Sequence, residues 1–209
     1  MRSGTARRWI DGYVRAGKAY PPIVRLESSG DDLVTWGEFI EARLLSEFRD
    51  SGVPIYRMRP AVERLRERFN RLYPLAHARP WLEEGGRELV MRVQEEVHLE
   101  KPLQLVVVRN DQLVLSAPAD QFVQSVDFGD AKIVRRMNPL PDLTHVWIDP
   151  LRQFGEPVVR SVPTAIIAEQ VRAGDEASTI AELYELSDEQ VWQAIRYELL
   201  RGREVQQAA

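Results

Sequence analysis

No cysteine occurs among the 209 residues, so the chain can build no disulfide framework, no thiolate nucleophile and no cysteine zinc site. Nothing argues for an oxidising compartment, and a reducing cytoplasm is the expected location. Histidine is nearly as scarce. His77, His98 and His145 stand far apart, none belongs to a pattern such as His-Glu-x-x-His, and no metal site is expected. The acidic pairs Glu83-Glu84 and Glu95-Glu96 are adjacent residues, which point to opposite faces of a strand or diverge on a helix, so they read as solvated surface and not as an acid/base couple. Gly85-Gly86 lacks the rest of a phosphate loop, and Ser161 and Thr164 lie near no recognisable base or oxyanion glycine motif. The expectation is a protein with no catalytic residues and no cofactor, and therefore not an enzyme. Long apolar runs are absent as well: a stretch such as Leu105 to Val108 cannot span a bilayer, and the N-terminus opens on Arg2, Arg7 and Arg8, so neither membrane insertion nor secretion is expected.

The charge that is present is unevenly placed. Formal net charge is -4, yet residues 1–79 carry 15 Lys/Arg against 10 Asp/Glu, leaving the remainder strongly acidic. Such a split suits a nucleic-acid-binding end and a second end with another partner. Hydrophobic residues make up 44% of the chain, enough for one large core or two modest ones.

Periodicity predicts an α+β protein in three parts. Ser3 to Gly12 reads as a short helix with Ser3 as N-cap and Ala6, Trp9 and Ile10 on one face, followed by an irregular segment in which Ile23 to Leu26 is strand-like, the pattern of a wing. Thr35-Trp36-Gly37-Glu38 matches a capping box opening a helix through Phe39, Ala42, Leu45 and Phe48. A second helix from Ile55 to about Leu72 buries Met58, Val62, Leu65 and Phe69 and sets Arg57, Arg59, Arg64, Arg66, Arg68 and Arg71 outside. The winged-helix-like first part, residues 1–79, thus has its recognition helix but lacks the positioning helix that precedes one. Residues 80–145 are expected to be a small β-rich middle module, because Arg87 to Val93, Leu103 to Val108, Leu113 to Leu115 and Ala131 to Met137 are rich in β-branched residues, with a hairpin turn at Arg109-Asn110-Asp111-Gln112 and one short helix from Pro118 to Val126. Residues 146–209 form a three-helix, helix-turn-helix-like end: a helix capped by Thr164 and stopped at Gly174, a second from Ala177 to Leu186, and a third opened by Ser187-Asp188-Glu189-Gln190.

Thr5, Arg7, Arg8, Arg15, Lys18 and Arg25 gather on the proposed recognition helix and wing, where arginine would neutralise phosphate and read guanine edges, so these six are the candidate DNA contacts. The last helices are acidic between Ser161 and Leu200 and would repel phosphate, which makes that end a protein-binding or dimerising module. Trp147, Trp192, Tyr184 and Tyr197 are expected chiefly in its core, or as anchors if any surface is used.

Ile148-Asp149-Pro150, Gly155-Glu156-Pro157-Val158-Val159-Arg160, Ala173-Gly174-Asp175, the run Ile180 to Val191, and Ala194-Ile195-Arg196-Tyr197-Glu198-Leu199 together resemble a small helix-turn-helix-like domain found in VapB-type antitoxins. Ser161-Val162-Pro163-Thr164 stands where that family usually carries Gly-Thr-Arg. Residues Ser3 to Arg68, with Trp9, Phe39, Leu44, Arg49, Gly52 and Met58, look like a MerR-like winged helix. The resemblance implies an antitoxin, homodimeric, that binds and silences a PIN-domain ribonuclease toxin and represses its own operon at operator DNA. Arginine is the natural plug for a carboxylate-lined nuclease site, and Arg152, Arg160, Arg201 and Arg203 are the candidate toxin contacts. The alternative is a MerR-like, ligand-responsive transcriptional regulator whose middle module holds an effector.

Overall fold

The computed structural model describes residues 3–208, with side chains from 5 to 203. The architecture is α+β, in two compact units: residues 1–124 with 128–134, and residues 125–127 with 135–209.

The first unit opens on helix α1, Ser3–Asp11, whose Trp9 and Ile10 are buried; the expected Ser3 cap lies outside the described side chains. A small antiparallel hairpin follows, β1 (Tyr13–Arg15) with β2 (Lys18–Tyr20). Its turn residues Ala16 and Gly17 both have positive φ, 50° and 75°, the backbone that suits the twist of a two-residue hairpin. The expected strand at Ile23 to Leu26 is not one. Instead the Ile23 and Val24 amides both donate to the Trp9 carbonyl, at 2.8 and 3.0 Å, so this segment wraps α1 and buries its two aliphatic side chains there.

Helix α2, Trp36–Glu47, begins with the full capping box, Thr35 and Glu38 each accepting from the other's backbone amide. A 3₁₀ turn at Ile55–Met58 leads into α3, Arg59–Phe69, ended by Asn70 in the left-handed region. Five of the six arginines expected outside this stretch keep to the flanks or surface, but Arg66 is buried: it donates to the carbonyls of Ile23 and Val24 in the segment that wraps α1 and to the Leu72 carbonyl just past α3, satisfying these backbone acceptors.

Residues 87–93, expected as a strand, belong instead to helix α5, Glu84–Glu96, which follows the single turn α4, Arg79–Leu82. The buried positions Gly86, Val90, Val93 and Gln94 recur at helical spacing, and this periodicity, with Glu, Leu, Met and Arg between them, overrides the valines. Buried Gln94 then satisfies the amides of Leu105 and Val106 and the Val106 carbonyl, fixing the start of the hairpin β3 (Val106–Arg109) and β4 (Gln112–Leu115). Its turn, Asn110-Asp111, is where the sequence puts it, with φ of 50° and 57°. Helix α6 covers Ala117–Ser125. Ile40, Leu44, Leu45, Phe48, Met58, Leu65, Leu75, Trp81, Leu103, Leu105 and Phe122 are the large, fully buried side chains of this unit among the described residues. Residues 128–134 return to it through a bridge between His77 and Ile133, the Ala78 amide on the Lys132 carbonyl at 2.8 Å, and the Trp36 indole on the Val134 carbonyl at 2.6 Å.

The second unit sets a five-stranded sheet beside three helices. The strands run in chain order, β5 (Val126–Phe128), β6 (Val134–Met137), β7 (Val146–Ile148), β8 (Pro157–Val159) and β9 (Val162–Pro163), with β6 to β9 antiparallel. The strand expected from Ala131 thus begins only at Val134. Helix α7, Thr164–Ala173, starts on Pro163, and Thr164 is no cap: its hydroxyl is turned to the Glu198 carboxylate at 2.5 Å, since β9 delivers the chain straight into the helix. Gly174 ends it in the left-handed region. Helix α8 is Ala177–Tyr184, and α9, Asp188–Ala208, runs well past Leu199. Ser187 and Gln190 exchange backbone and side-chain hydrogen bonds at its start. Leu143, Val146, Val159, Ile167, Ile180, Ala181, Val191 and Ala194 make the core. Trp192 is not in it, being 59% exposed. Among the described residues no helix is long and apolar enough to cross a membrane.

Candidate functional surfaces

The six candidate DNA contacts do not share one fate. Arg7 and Arg8 are exposed on α1 and Thr5 is half-buried, while Arg15 and Lys18 are exposed on the hairpin that follows. The Arg8 guanidinium over the Tyr13 ring at 5.6 Å joins the helix to the hairpin, and within the hairpin Tyr13 lies flat on Tyr20 at 4.7 Å with Lys18 over Tyr20 at 5.4 Å. Arg8, Arg15 and Lys18 form no ion pair among the described residues, and Arg7 pairs at the surface with Asp32 at 2.9 Å.

Arg25 is a different kind of residue. Its guanidinium is 9% exposed, and every nitrogen is engaged, by Asp11 at 2.5 Å, Glu38 at 2.8 Å, Ser29 and the Leu33 carbonyl. Burial alone would raise the Glu38 carboxyl, but the hydrogen bonds from Arg25, the Thr35 amide and Tyr73 outweigh it and hold the group below the ordinary carboxylate value. Arg25 therefore clamps α1 to α2 and has no donor left for phosphate. The sequence could not show this, because the acids that claim it lie 14 residues before and 13 after.

Of the four candidate toxin contacts, Arg152 and Arg160 line one polar cleft of about 440 Å³ in the second unit, together with Arg136, His145, Ser161 and Gln190. Arg152 donates to the Ser161 hydroxyl at 2.8 Å and lies 3.7 Å from the buried carboxylate of Asp149, whose other oxygen accepts from the Leu151 amide. Arg160, with φ of 55°, donates to the Glu185 carbonyl at 2.5 Å. Arg136 lies over the Trp147 ring at 4.2 Å and donates to Asp127 at 2.8 Å. Arg201 is elsewhere, on α9 between Glu156 and Glu198 at 3.9 Å each, and Arg203 is exposed two residues further along. Sequence reading missed Arg136, His145 and Trp147 as cleft residues, since adjacent strands of a sheet align residues that no local spacing connects.

Beside the cleft, the loop after β7 exposes Leu151 by 87% and Phe154 completely. Gln153, Phe154 and Gly155 all have positive φ, so the loop turns outward on consecutive left-handed residues. In the first unit, Phe69, Arg71, His77, Arg79, Glu83 and Lys132 border a smaller hollow, and burial together with the Arg71 charge pushes the His77 imidazole down. Among the described residues no three His, Asp or Glu side chains are gathered to hold a metal ion.

Comparison with known proteins covers both units. The family model described as "Protein of unknown function (DUF433)" matches residues 146–197. The "Uncharacterized protein Rv2308" of Mycobacterium tuberculosis (strain ATCC 25618 / H37Rv) is 41% identical, over 94% of this chain and 84% of its own length. The "Putative antitoxin VapB45" of the same organism is 28% identical, over 91% of this chain and 85% of its own. The X-ray crystal structure of Rv2018 from Mycobacterium tuberculosis superposes with a TM-score of 0.66 at 26% identity, covering 78% of each chain.

Proposed function

The chain belongs to the family of the uncharacterized protein Rv2308 of Mycobacterium tuberculosis, and from that premise we propose that it is an antitoxin, a non-enzymatic protein of the cytoplasm that binds and neutralises a PIN-domain ribonuclease toxin. The near full-length match to a relative named as an antitoxin supports this reading. The physical observation that carries it is the loop after β7. A cation, Arg152, stands between two exposed apolar side chains, Leu151 and Phe154, and aromatic and arginine anchors of this kind dominate protein interfaces. Arg160 lines the same cleft, and Arg201 and Arg203 extend the basic positions along α9.

Each unit takes one partner. Thr5, Arg7, Arg8, Arg15 and Lys18 act on operator DNA from the helix α1 and the hairpin after it, in the first unit; residues 146–209 of the second unit hold the toxin, and the protein works as a homodimer. Arg25 drops out of the DNA surface because its donors are occupied.

The test is co-expression with the product of the neighbouring gene, followed by co-purification and a ribonuclease assay. The expected result is a stable complex with suppressed RNA cleavage. Undiminished cleavage in a mixture verified to contain both folded proteins overturns the proposal.

A further inference from the structure

Beyond the antitoxin reading, and needing no partner protein, we propose that the cleft of the second unit binds the phosphoryl group of a small phosphorylated ligand. Its volume, about 440 Å³, falls within the range of small-molecule sites, roughly 300–1,000 Å³. Its charge is cationic: Arg136, Arg152 and Arg160 line it against the single carboxylate of Asp149, and Asp149 is turned inward, 2% exposed, with one oxygen on the Leu151 amide and the other 4.0 Å from Arg135 and 3.7 Å from Arg152.

The three guanidiniums arrive from three separate places, β6, the loop after β7 and the turn after β8, and each is already positioned. Arg136 is held between the Trp147 ring and Asp127, Arg152 by the Ser161 hydroxyl and the Arg160 carbonyl, and Arg160 by the Glu185 carbonyl. A planar carboxylate is satisfied by one guanidinium fork, whereas a tetrahedral oxyanion offers acceptors on several sides at once. Three cations from three directions, with the Ser161 hydroxyl and the Gln190 amide beside them, match the tetrahedral anion. Holding the side chains in place beforehand lowers the ordering cost of binding.

Trp147 supplies the readout, because a ligand drawing on Arg136 disturbs the cation resting on its ring. The full-length protein is titrated at constant ionic strength with inorganic phosphate, a nucleoside monophosphate and a short single-stranded oligonucleotide, following tryptophan emission and heat. A saturable response is expected, with the emission change lost in Trp147→Phe. Arg152→Gln and Arg160→Gln should each weaken binding by about tenfold or more, the loss of one charge-assisted hydrogen bond, in variants whose circular dichroism shows them folded. Should Arg160→Gln misfold, Arg160→Asn removes the same cation with a residue suited to left-handed backbone. Saturation by phosphate or the nucleotide is the expected result, and saturation by the oligonucleotide alone overturns the small-ligand proposal in favour of a nucleic-acid backbone. A linear response to all three probes, or equal binding by a folded double variant, overturns the proposal. Preference for an acidic peptide over every phosphate probe does so too, and leaves the toxin co-purification to judge the antitoxin reading by itself.

Discussion

Arg25 is enclosed by two carboxylates, and removing one member of such a set leaves the others charged and buried. Arg25→Ala should cost about 3–5 kcal/mol, read as a lower urea midpoint, and a loss within 1 kcal/mol would show that water reaches Asp11 and Glu38. Glu41 is the opposite case. Its carboxylate is buried on α2 with Oε2 unpaired by any hydrogen bond, and Arg66, 3.6 Å away, is committed to backbone carbonyls. Burial first of all, opposed by Arg66 and by the Leu75 amide, pushes Glu41 up to about 7. A carboxyl raised in the folded state binds its proton more tightly there than in the unfolded chain. Its stabilisation is therefore complete below the ordinary value near 4.5 and is lost as pH rises through about 7. Glu41→Gln should flatten this dependence and leave the variant more stable than the parent at pH 8 by about 1–3 kcal/mol. Urea midpoints at pH 5 and 8 decide it, and a parent with the same midpoint at both has no such buried acid. Neither residue was legible as structural in the sequence, where Arg25 reads as one more surface cation and Glu41 as ordinary helix polarity.

Among the elements, α5 shows where local reading failed and what tertiary packing demands. Its valines suggested a strand, yet Gly86 lies against α4 so closely that an added Cβ would stand 1.9 Å from the Arg79 carbonyl, while Gly85 one residue earlier faces open space. Alanine is the better helix former at both by about 1 kcal/mol, but the two substitutions should have opposite signs. Gly85→Ala is expected to raise the melting temperature, and Gly86→Ala to lower it by more than about 2 kcal/mol of stability as α4 is forced away. Matching melts for the pair would mean that α4 yields without resistance. The capping box of α2, the Asn110-Asp111 turn and the Gly174 stop were legible because each is a short-range contract between neighbouring residues. The β1–β2 hairpin was not, since its Ala16-Gly17 turn carries only half of the usual signal. The cleft of the second unit was legible only in part, through Arg152 and Arg160, because Arg136 and Trp147 meet across strands.

At the scale of the molecule, the uneven charge becomes a statement about salt. If residues 1–79 hold operator DNA, replacing Arg8, Arg15 and Lys18 by glutamine should weaken binding to all sequences. Each removed phosphate contact should also reduce the slope of log affinity against log salt by about 0.9. Fluorescence anisotropy across a salt series measures both, and an unchanged slope in a folded triple variant would remove the stacked platform from the DNA surface. A last consequence comes from the path of the chain. It leaves the first unit after residue 124, returns for residues 128–134 and leaves again, and that returning stretch carries the acceptors of the Trp36 indole and the Ala78 amide. No single cut in the gene separates the two units intact. A truncation after residue 124 strands two donors, and one after residue 134 takes strand β5 away from its sheet. An exchange of either half at one crossover point would therefore cost the first unit these two acceptors or the second unit its strand β5.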